Sequence, residues 1–308
     1  MENGGHVSVM LDEVESFIRP ISPGMRICDA TLRGGGYTAR LLELCSECTV
    51  VGIDADESMI ARARARIGAT DRLRTIHGWF DEVIPEIAPV DRIVMDLGVS
   101  MVHLRDAERG FSFREDGPVD MRLDATRDGD TAADLIRSLS ERDLADVIYR
   151  YGEERYSRRI ARAICDDRTR AASGTAALAE VVRRAVPPQY RRGRNHPATR
   201  TFQALRIAVN DELGRIERAI PLAAAALSPG GRLIVVSFHS LEDRIVKHSF
   251  RALSRPSTPS TEQPMVNKEE EYLVRTKKPV VPSEEERTSN PASRSAKLRV
   301  LEKGTADV

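Results

Sequence analysis

Cysteine is scarce in this chain, which has only four in 308 residues: Cys28, Cys45, Cys48 and Cys165. So few cysteines in a chain of this length exclude the disulfide framework of small secreted domains. Cys45 and Cys48 have CxxC spacing, but no second pair or nearby histidine completes a tetrahedral metal site. The pair is also predicted at the end of a helix, whereas redox pairs begin helices. We therefore expect ordinary packing cysteines and no bound metal.

Long apolar runs are absent as well. No stretch approaches the roughly 20 apolar residues that a membrane-spanning helix requires. The first residues contain neither the cationic region nor the apolar stretch of a signal peptide. We expect a cytoplasmic protein with no membrane partner, and the sequence predicts no particular oligomeric state.

The chain has no net charge, since 47 Lys and Arg balance 47 Asp and Glu. The charges are nevertheless unevenly distributed. Residues 181–210, here called the basic segment, contain seven arginines and no acidic residue, whereas residues 106–146 are acidic. A local basic surface attracts phosphate, so we expect a nucleic-acid partner. The alternative is a solvated arginine-rich face that binds nothing.

Hydrophobic patterns in the first hundred residues alternate between short strands and helices. Strands are predicted at residues 25–30, 49–54, 73–78 and 92–97, with helices at 37–45 and 57–67. This alternation is typical of right-handed βαβ units and a parallel sheet. Helical periodicity without strands follows at 131–139, 141–151, 157–166, 175–185 and 201–227, before a turn at 229–231 and a strand at 232–238. Short strands are also predicted at 272–281 and 297–301. The sequence predicts an α/β core at 1–105 and 201–308, and an inserted helical substrate-recognition subdomain at 106–200.

Ligand-compatible residues stand at the predicted ends of four strands. Asp29 ends the first, and Gly34, Gly35 and Gly36 follow it before a helix begins. Asp54 ends the second strand, where it could accept both ribose hydroxyls or cap the next helix. Phe80 follows the third, and Asp96 ends the fourth.

Together these strand ends favour an adenosyl cofactor at the carboxyl edge of the sheet. The loop lacks the G-x-G-x-x-G spacing that binds a pyrophosphate. It is also entered by an acid that repels phosphate and attracts a cationic methionine headgroup.

The sequence resembles the bacterial 16S ribosomal RNA (cytosine-N4)-methyltransferases, the RsmH or MraW family, almost from end to end. The stretches that carry the resemblance are HVSVMLDEV (6–14), DATLRGGGYT (29–38), VGIDAD (51–56), DLGVS (96–100), DAERGFSFREDGPVDMRLD (106–124), YGEERYSRRIARAI (151–164), HPATRTFQALRIAVNDEL (196–213), PGGRLIVVSFHSLEDRIVK (229–247) and NPASRSAKLRV (290–300).

The resemblance implies a Rossmann-like fold, S-adenosylmethionine as cofactor, and methylation of N4 of a cytidine in the decoding region of small-subunit rRNA. By match of position it implies a cofactor pocket lined by Gly34, Gly35, Gly36, Tyr37, Asp54, Phe80, Asp96 and His103. Tyr37 and His103 depart from the family, which commonly has His and Gln there.

Catalysis and RNA binding need further groups. Asp96 and Ser100 are candidate acceptors for the amine, and His239 is a candidate proton acceptor or a structural hydrogen-bonder. The target base must leave its stack to reach the methyl donor. The residues expected to hold phosphates are Arg191, Arg192, Arg194, Arg200, Arg294, Lys297 and Arg299.

Two other functions fit the sequence. One keeps the chemistry but moves it to DNA or a small molecule. The other is a non-catalytic RNA-binding or assembly factor, and the Tyr37 and His103 departures favour it. Retention of Asp29, Asp54 and Asp96 opposes it.

Overall fold

The structure is a computed structural model that describes residues 8–193, 195–254 and 271–305. The chain divides into two compact units. The first, here called the sheet unit, comprises Met1–Gly98 and Leu213–Val308, and the second, the helical unit, is Val99–Glu212. These boundaries differ from the predicted ones at 105 and 201, because residues 199–210 form a helix that packs against others of the helical unit.

Seven strands of the described residues form one sheet, in the order β3-β2-β1-β4-β5-β7-β6. The strands are β1 (Arg26–Asp29), β2 (Thr49–Asp54), β3 (Leu73–His77), β4 (Val90–Asp96), β5 (Leu227–Ser237), β6 (Tyr272–Val274) and β7 (Lys297–Lys303). The first five are parallel, while β7 pairs antiparallel with both β5 and β6. This arrangement confirms the predicted α/β, Rossmann-like fold class. From β1 the chain order runs outward to β2 and β3 on one side and to β4 and β5 on the other.

Helices occupy the connections. In chain order they are α1 (Leu11–Ile18), α2 (Gly36–Leu44), α3 (Glu57–Ile67), α4 (Phe80–Val83), α5 (Met101–Arg105), α6 (Ala132–Ser138), α7 (Glu141–Gly152), α8 (Ser157–Asp166), α9 (Arg168–Ala171), α10 (Thr175–Ala185), α11 (Pro188–Arg191), α12 (Thr199–Asn210), α13 (Glu212–Ala226), α14 (Ser240–Leu253) and α15 (Glu284–Ser289). Helices α5 to α12 lie in the helical unit. None of the helices in the described ranges is long and apolar enough to cross a bilayer.

Alternate residues of the central strands enter two different cores. Ile93 and Met95 of β4 pack with α13 and α14 on one face, whereas Val94 packs with α1 and α2 on the other. Because successive side chains of a strand point to opposite faces, both faces of the sheet are covered. The nearly continuous apolar character of the strand sequences follows from this double burial.

The helical unit has its own core. Apolar faces of α6, α7, α8, α10 and α12 meet there, with Leu144, Ile148, Ile160 and Leu205 fully buried. The backbones of α7 and α12 come close to each other in this core. Gly152, at the end of α7, lies so close to α12 that an added Cβ would stand 2.5 Å from the carbonyl oxygen of Arg200.

Three local predictions need correction. Residues 201–227 form two helices and not one, because Asp211 takes a left-handed conformation (φ 48°) between α12 and α13. The turn expected at Pro229-Gly230-Gly231 is an irregularity within β5, where the pairing with β4 shifts register. The strand expected at 272–281 ends at Val274, with an isolated bridge at Val280.

The prediction that Cys45 and Cys48 are ordinary packing cysteines is wrong. The two are joined by a disulfide across the turn between α2 and β2, with Cα atoms 5.5 Å apart. The expectation of no disulfide framework rested on the number of cysteines, and it did not consider a single local bridge. Cys28 and Cys165 are free.

Replacing Gly152 by Ala tests the close approach of α7 and α12. A Cβ has no room against the Arg200 carbonyl, so we expect the free energy of unfolding to fall by about 1–3 kcal/mol. Urea denaturation measures the loss. Gly129→Ala is the matched control, since nothing lies within 4 Å of its added Cβ, and it should alter stability by less than about 1 kcal/mol. Equal stability of the two variants would contradict the packing described.

Candidate functional site

Three acidic residues end three neighbouring strands of the sheet unit. Asp29, Asp54 and Asp96 are the last residues of β1, β2 and β4, and β1 is paired in parallel with both other strands. Parallel strands end at the same edge of a sheet, so the carboxylates share one region. The structure therefore brings these three predicted residues together at the carboxyl edge.

The glycine loop between β1 and α2 is fixed by packing at two of its three positions. Gly35 has a left-handed conformation (φ 71°), and a Cβ on it would lie 2.9 Å from Ala63. A Cβ on Gly36 would lie 2.0 Å from the hydroxyl of Ser8. Gly34 differs, because no atom of the described residues lies within 4 Å of its added Cβ. Gly34 thus leaves open space beside the loop, where a ligand can approach the backbone.

Asp54 already accepts two backbone hydrogen bonds. Its Oδ2 accepts from the N–H of Arg33 at 2.6 Å and its Oδ1 accepts from the N–H of Asp56 at 2.9 Å. Each carboxylate oxygen has a second lone pair, so Asp54 keeps the capacity to accept ribose hydroxyls. Its alternative role, capping α3, belongs instead to Asp56, which accepts from the N–H of Ser58.

The two predicted aromatic contacts differ in exposure. Phe80 is half-buried at the start of α4, beside the edge where β3 ends. Tyr37 lies on α2, where its side chain is buried in the core and its hydroxyl donates to the carbonyl of Val9. In this structure Tyr37 stabilises packing of the N-terminal segment, and a contact with cofactor stays a prediction.

Arg33 is the residue of the site that the sequence reasoning missed. It takes a left-handed conformation (φ 48°), which is uncommon for a side-chain-bearing residue. Its Nη1 lies 2.6 Å from Asp96 Oδ2. Its Nη2 donates to the carbonyl oxygens of Asp96, Leu97 and Gly98 at 2.7, 2.7 and 3.1 Å. The signal in the sequence was a cationic residue next to three glycines and opposite three strand-end acids.

Burial raises the pKa of two of the strand-end acids. Asp29 is fully buried, which raises its pKa to about 6, although hydrogen bonds from Thr38 and Thr31 lower it. Burial likewise raises the pKa of Asp96 to about 7, opposed by the Arg33 guanidinium. Asp96 Oδ1 is buried and has no hydrogen-bond partner among the residues that the structure describes. Asp29 therefore supports the loop, while Asp96 retains an acceptor.

His239 and Glu242 form a capping box at the start of α14. The N–H of Glu242 donates to His239 Nδ1 at 3.4 Å, and Glu242 Oε2 accepts from the N–H groups of Phe238 and His239. His239 Nε2 lies 3.1 Å from Glu242 Oε1. With Nδ1 an acceptor, the neutral ring carries its proton on Nε2. In this structure His239 caps α14, and its predicted role toward the amine proton stays a prediction.

Ser100 and His103 lie in the helical unit, where they cap α5. The N–H of Val102 donates to the Ser100 hydroxyl at 3.0 Å, and the N–H of Ser100 donates to His103 Nδ1 at 3.2 Å. The His103 ring also contacts Phe111, with ring centres 5.4 Å apart. Both side chains are buried, and their predicted roles toward cofactor and substrate stay predictions.

Two of the residues expected to hold phosphates are ion-paired between β7 and α14. Arg299 is buried on β7, with its Nε 2.6 Å from Asp243 Oδ1, and Lys297 Nζ lies 3.0 Å from Asp243 Oδ2. The prediction for Arg299 is therefore corrected, because a buried ion-paired side chain does not present its charge to RNA. Arg294 is exposed.

The basic segment is less basic than its sequence suggests. Arg183 and Arg184 both pair with Glu180, and Arg206 pairs with Glu212. Both acids lie just outside the segment. Arg191 and Arg200 donate to backbone carbonyls, which leaves their charge uncompensated by those contacts. Arg192 is exposed, and Arg194 lies outside the described residues.

An aromatic cluster that the sequence reasoning missed adjoins these arginines. Tyr156 and Tyr190 meet edge to face with ring centres 5.0 Å apart, and the Tyr190 hydroxyl donates to the buried Glu154 at 2.5 Å. The exposed Arg155 lies over both rings, at 4.8 and 5.2 Å from their centres. Burial and the hydrogen bond to Glu154 raise the pKa of Tyr190, and the charges of Arg200 and Arg155 oppose that rise, so both arginines stand near the ring. We call Arg155, Tyr156, Tyr190, Arg192 and Arg200 the arginine–tyrosine surface.

Comparison with known proteins identifies the family. Residues 3–304 match the MraW methylase family. The chain belongs to this family. It is 48% identical to the ribosomal RNA small subunit methyltransferase H of Methylobacterium nodulans, over 98% of this chain and 91% of that one. The protein of the same name from Treponema denticola is 45% identical, over 97% of both chains.

Among solved structures, an rRNA methylase from Streptococcus thermophilus has a TM-score of 0.45 at 10% identity, over 98% of this chain and 100% of that one. Family membership confirms the predicted methyltransferase and, with it, S-adenosylmethionine as the methyl donor.

The acceptors of the methylase's carboxyl edge fit this cofactor. S-adenosylmethionine carries an ammonium, a sulfonium and a ribose diol, which are cations or hydrogen-bond donors, together with one carboxylate. The edge supplies Asp54, the buried Asp96 Oδ1, which has no partner among the described residues, and space beside Gly34. A phosphate-bearing cofactor does not fit the same set, because the acids would repel it.

Titration of Asp96 is the direct test of this electrostatic environment. We expect a midpoint near pH 7 in the folded methylase, about three units above an ordinary aspartate, because burial disfavours the charged form. Carboxyl ¹³C NMR of protein labelled at aspartate measures it, and the signal is assigned by its loss in Asp96→Asn. Since the folded pKa is raised, the contribution of this group to stability should fall as pH rises from about 4 to 7. A midpoint near 4 would contradict the assignment.

Proposed function

We propose that this methylase transfers a methyl group from S-adenosylmethionine to N4 of a cytidine in the decoding region of 16S rRNA. Membership in the MraW methylase family is the observation that carries the proposal. The relatives' name, ribosomal RNA small subunit methyltransferase H, supports rRNA of the small subunit as substrate. The choice of N4 rests on the sequence resemblance and on the acceptor chemistry of the carboxyl edge.

A cytosine amine is a weak nucleophile because its lone pair is delocalised into the ring. The bound cofactor supplies an electrophilic methyl group on sulfur. The protein must hold the amine in line and accept its hydrogen bond as the nitrogen becomes positive. Asp96 suits this role, because its buried Oδ1 has no hydrogen-bond partner among the described residues.

The same carboxylate is the best candidate to take the amine proton. As the N–C bond forms and the S–C bond breaks, one N–H proton must leave, and an acceptor whose pKa lies near the working pH takes it most effectively. Burial raises the pKa of Asp96 to about 7. His239 and Ser100 accept backbone hydrogen bonds where they stand, so each would first have to give up its capping role.

The arginine–tyrosine surface is the proposed RNA contact of the helical unit. Arginine contributes charge, and half-buried tyrosines offer ring edges and faces to unpaired bases. Tyr190 is held by the buried Glu154, so the surface is ordered before RNA arrives. A target base swung out of folded RNA leaves unstacked neighbours, which such a surface can hold. Arg294 and Lys297, on the sheet unit, stay further candidates for phosphate contacts.

The activity is tested with labelled S-adenosylmethionine and small subunits that lack the modification. Nucleoside analysis by mass spectrometry should find N4-methylcytidine, and Asp96→Asn should lower the rate about 10²–10⁴-fold, because the amide takes up no proton. Asp71→Asn is the control, since Asp71 is exposed just before β3, at the opposite edge of the sheet, and should keep the wild-type rate. A label on another base, on DNA or on protein would overturn the proposal.

The RNA surface is tested by the salt dependence of binding. Changing Arg155, Arg192 and Arg200 together to Ala should reduce the slope of log K against log salt by about 2, since each phosphate contact on a single strand contributes roughly 0.7. The control triple Arg137→Ala, Arg150→Ala and Arg162→Ala removes the same charge from exposed, ion-paired arginines of the same unit. An equal change of slope in both triples would remove the arginine–tyrosine surface from the interface.

A further inference from the structure

The end of β4 is built to bind a cation. Four acceptors converge there on one guanidinium: the Asp96 carboxylate and the carbonyl oxygens of Asp96, Leu97 and Gly98, all within 3.1 Å. Backbone carbonyls beyond the end of a parallel strand lack sheet partners, so they need donors from elsewhere. In this structure the donor is the side chain of Arg33.

Arg33 reaches these acceptors at a conformational cost. Its backbone is left-handed (φ 48°), a region that glycine adopts freely and other residues rarely. Its side chain is 11% exposed and lies 5.8 Å from the ring of Phe238. The backbone N–H of Arg33 also donates to Asp54 Oδ2. One residue therefore contacts both acids that the proposed function assigns to cofactor and substrate.

Arg33 offers the same chemistry as the cofactor's cationic end. An ammonium group needs a carboxylate and carbonyl oxygens, and those acceptors at this edge are engaged by the guanidinium. The neighbouring Gly34 leaves space beside the loop, since nothing in residues 8–193, 195–254 and 271–305 lies within 4 Å of its added Cβ. A guanidinium displaced from the acceptors would thus have room near the loop.

We infer that Arg33 sets the affinity of the protein for S-adenosylmethionine by occupying the acceptors of the β4 end in which the cofactor's ammonium binds. The inference rests on the proposed function. Binding of the cofactor then requires that Arg33 leave, so the observed dissociation constant is the intrinsic one divided by the fraction of molecules in which it has left. Removing the side chain removes this competition.

Calorimetric titration of the purified full chain with S-adenosylmethionine tests the inference. The variant is Arg33→Gly, which deletes the side chain and suits the left-handed backbone. It should bind about 10- to 100-fold more tightly than the wild type. This is the gain expected when Arg33 has left the acceptors in only about 1–10% of wild-type molecules. The titration is run at pH 8.5, above the pKa of Asp96, because loss of Arg33 removes a cation that lowers that pKa.

Two further variants separate the explanations. Arg33→Met keeps a long side chain without charge, and it should also bind more tightly if the charge is what competes. Arg26→Ala is the matched control, because Arg26 likewise donates to two backbone carbonyls, those of Ile87 and Pro89, but from the opposite end of β1. It should leave the dissociation constant unchanged. Circular dichroism checks that each variant is folded.

The possible outcomes distinguish the two proposals. Binding by the wild type with equal or weaker binding by Arg33→Gly would overturn the role of Arg33 while leaving the methylase function intact. Binding by Arg33→Gly alone would support the inference in its strongest form. If no folded variant binds S-adenosylmethionine, the proposed function fails and the inference fails with it.

Discussion

The burial of several acids at one carboxyl edge is the constraint on which the site depends. Asp29 and Asp96 are almost fully buried, and burial raises the pKa of both. The charge of Asp54 raises the pKa of Asp29 further, and the charge of Asp29 raises that of Asp96. Burying like charges is costly unless a cation or hydrogen-bond donors compensate them. Arg33 is the cation that lowers the pKa of both Asp29 and Asp96. The edge therefore selects a cationic or hydroxyl-bearing ligand and disfavours phosphate.

Several polar residues considered for the site cap the start of a helix. Ser100 and His103 cap α5, Asp56 caps α3, and His239 with Glu242 caps α14. A side chain that caps a helix accepts a hydrogen bond from a backbone N–H group that has no partner within the helix. The side chain is thereby held in place, but the lone pair of the accepting atom is occupied. Asp96 caps no helix, and within the part of the chain that the structure describes its Oδ1 has no hydrogen-bond partner, so it stands out among the candidates for chemistry.

The sheet was predictable because its central strands are buried on both faces, and β1, β2 and β4 each end in an aspartate. The runs at 49–54 and 57–67 match β2 and α3 residue for residue. The prediction of helix boundaries failed where the backbone changes conformation without a glycine or proline in the sequence. Asp211 is such a position, because it ends α12 in a left-handed conformation. The disulfide between Cys45 and Cys48 was missed for a related reason, since its formation depends on the turn that brings the two Cα atoms together.

The site was predictable at the level of strand ends and not at the level of partners. Sequence order places Asp54 and Asp96 at one edge, because parallel strands end together, but it does not reveal which side chain lies between them. The contact between Arg33 and Asp96 depends on how β1 and β4 are aligned in the sheet, which only the three-dimensional structure shows. The basic segment shows the converse: its arginines were visible in the sequence, while the glutamates that neutralise Arg183, Arg184 and Arg206 lie just outside it. Charge is cancelled over distances of 3–4 Å, so the proposed RNA surface consists of arginines whose partners are carbonyls or rings. Only the fold shows which arginines those are.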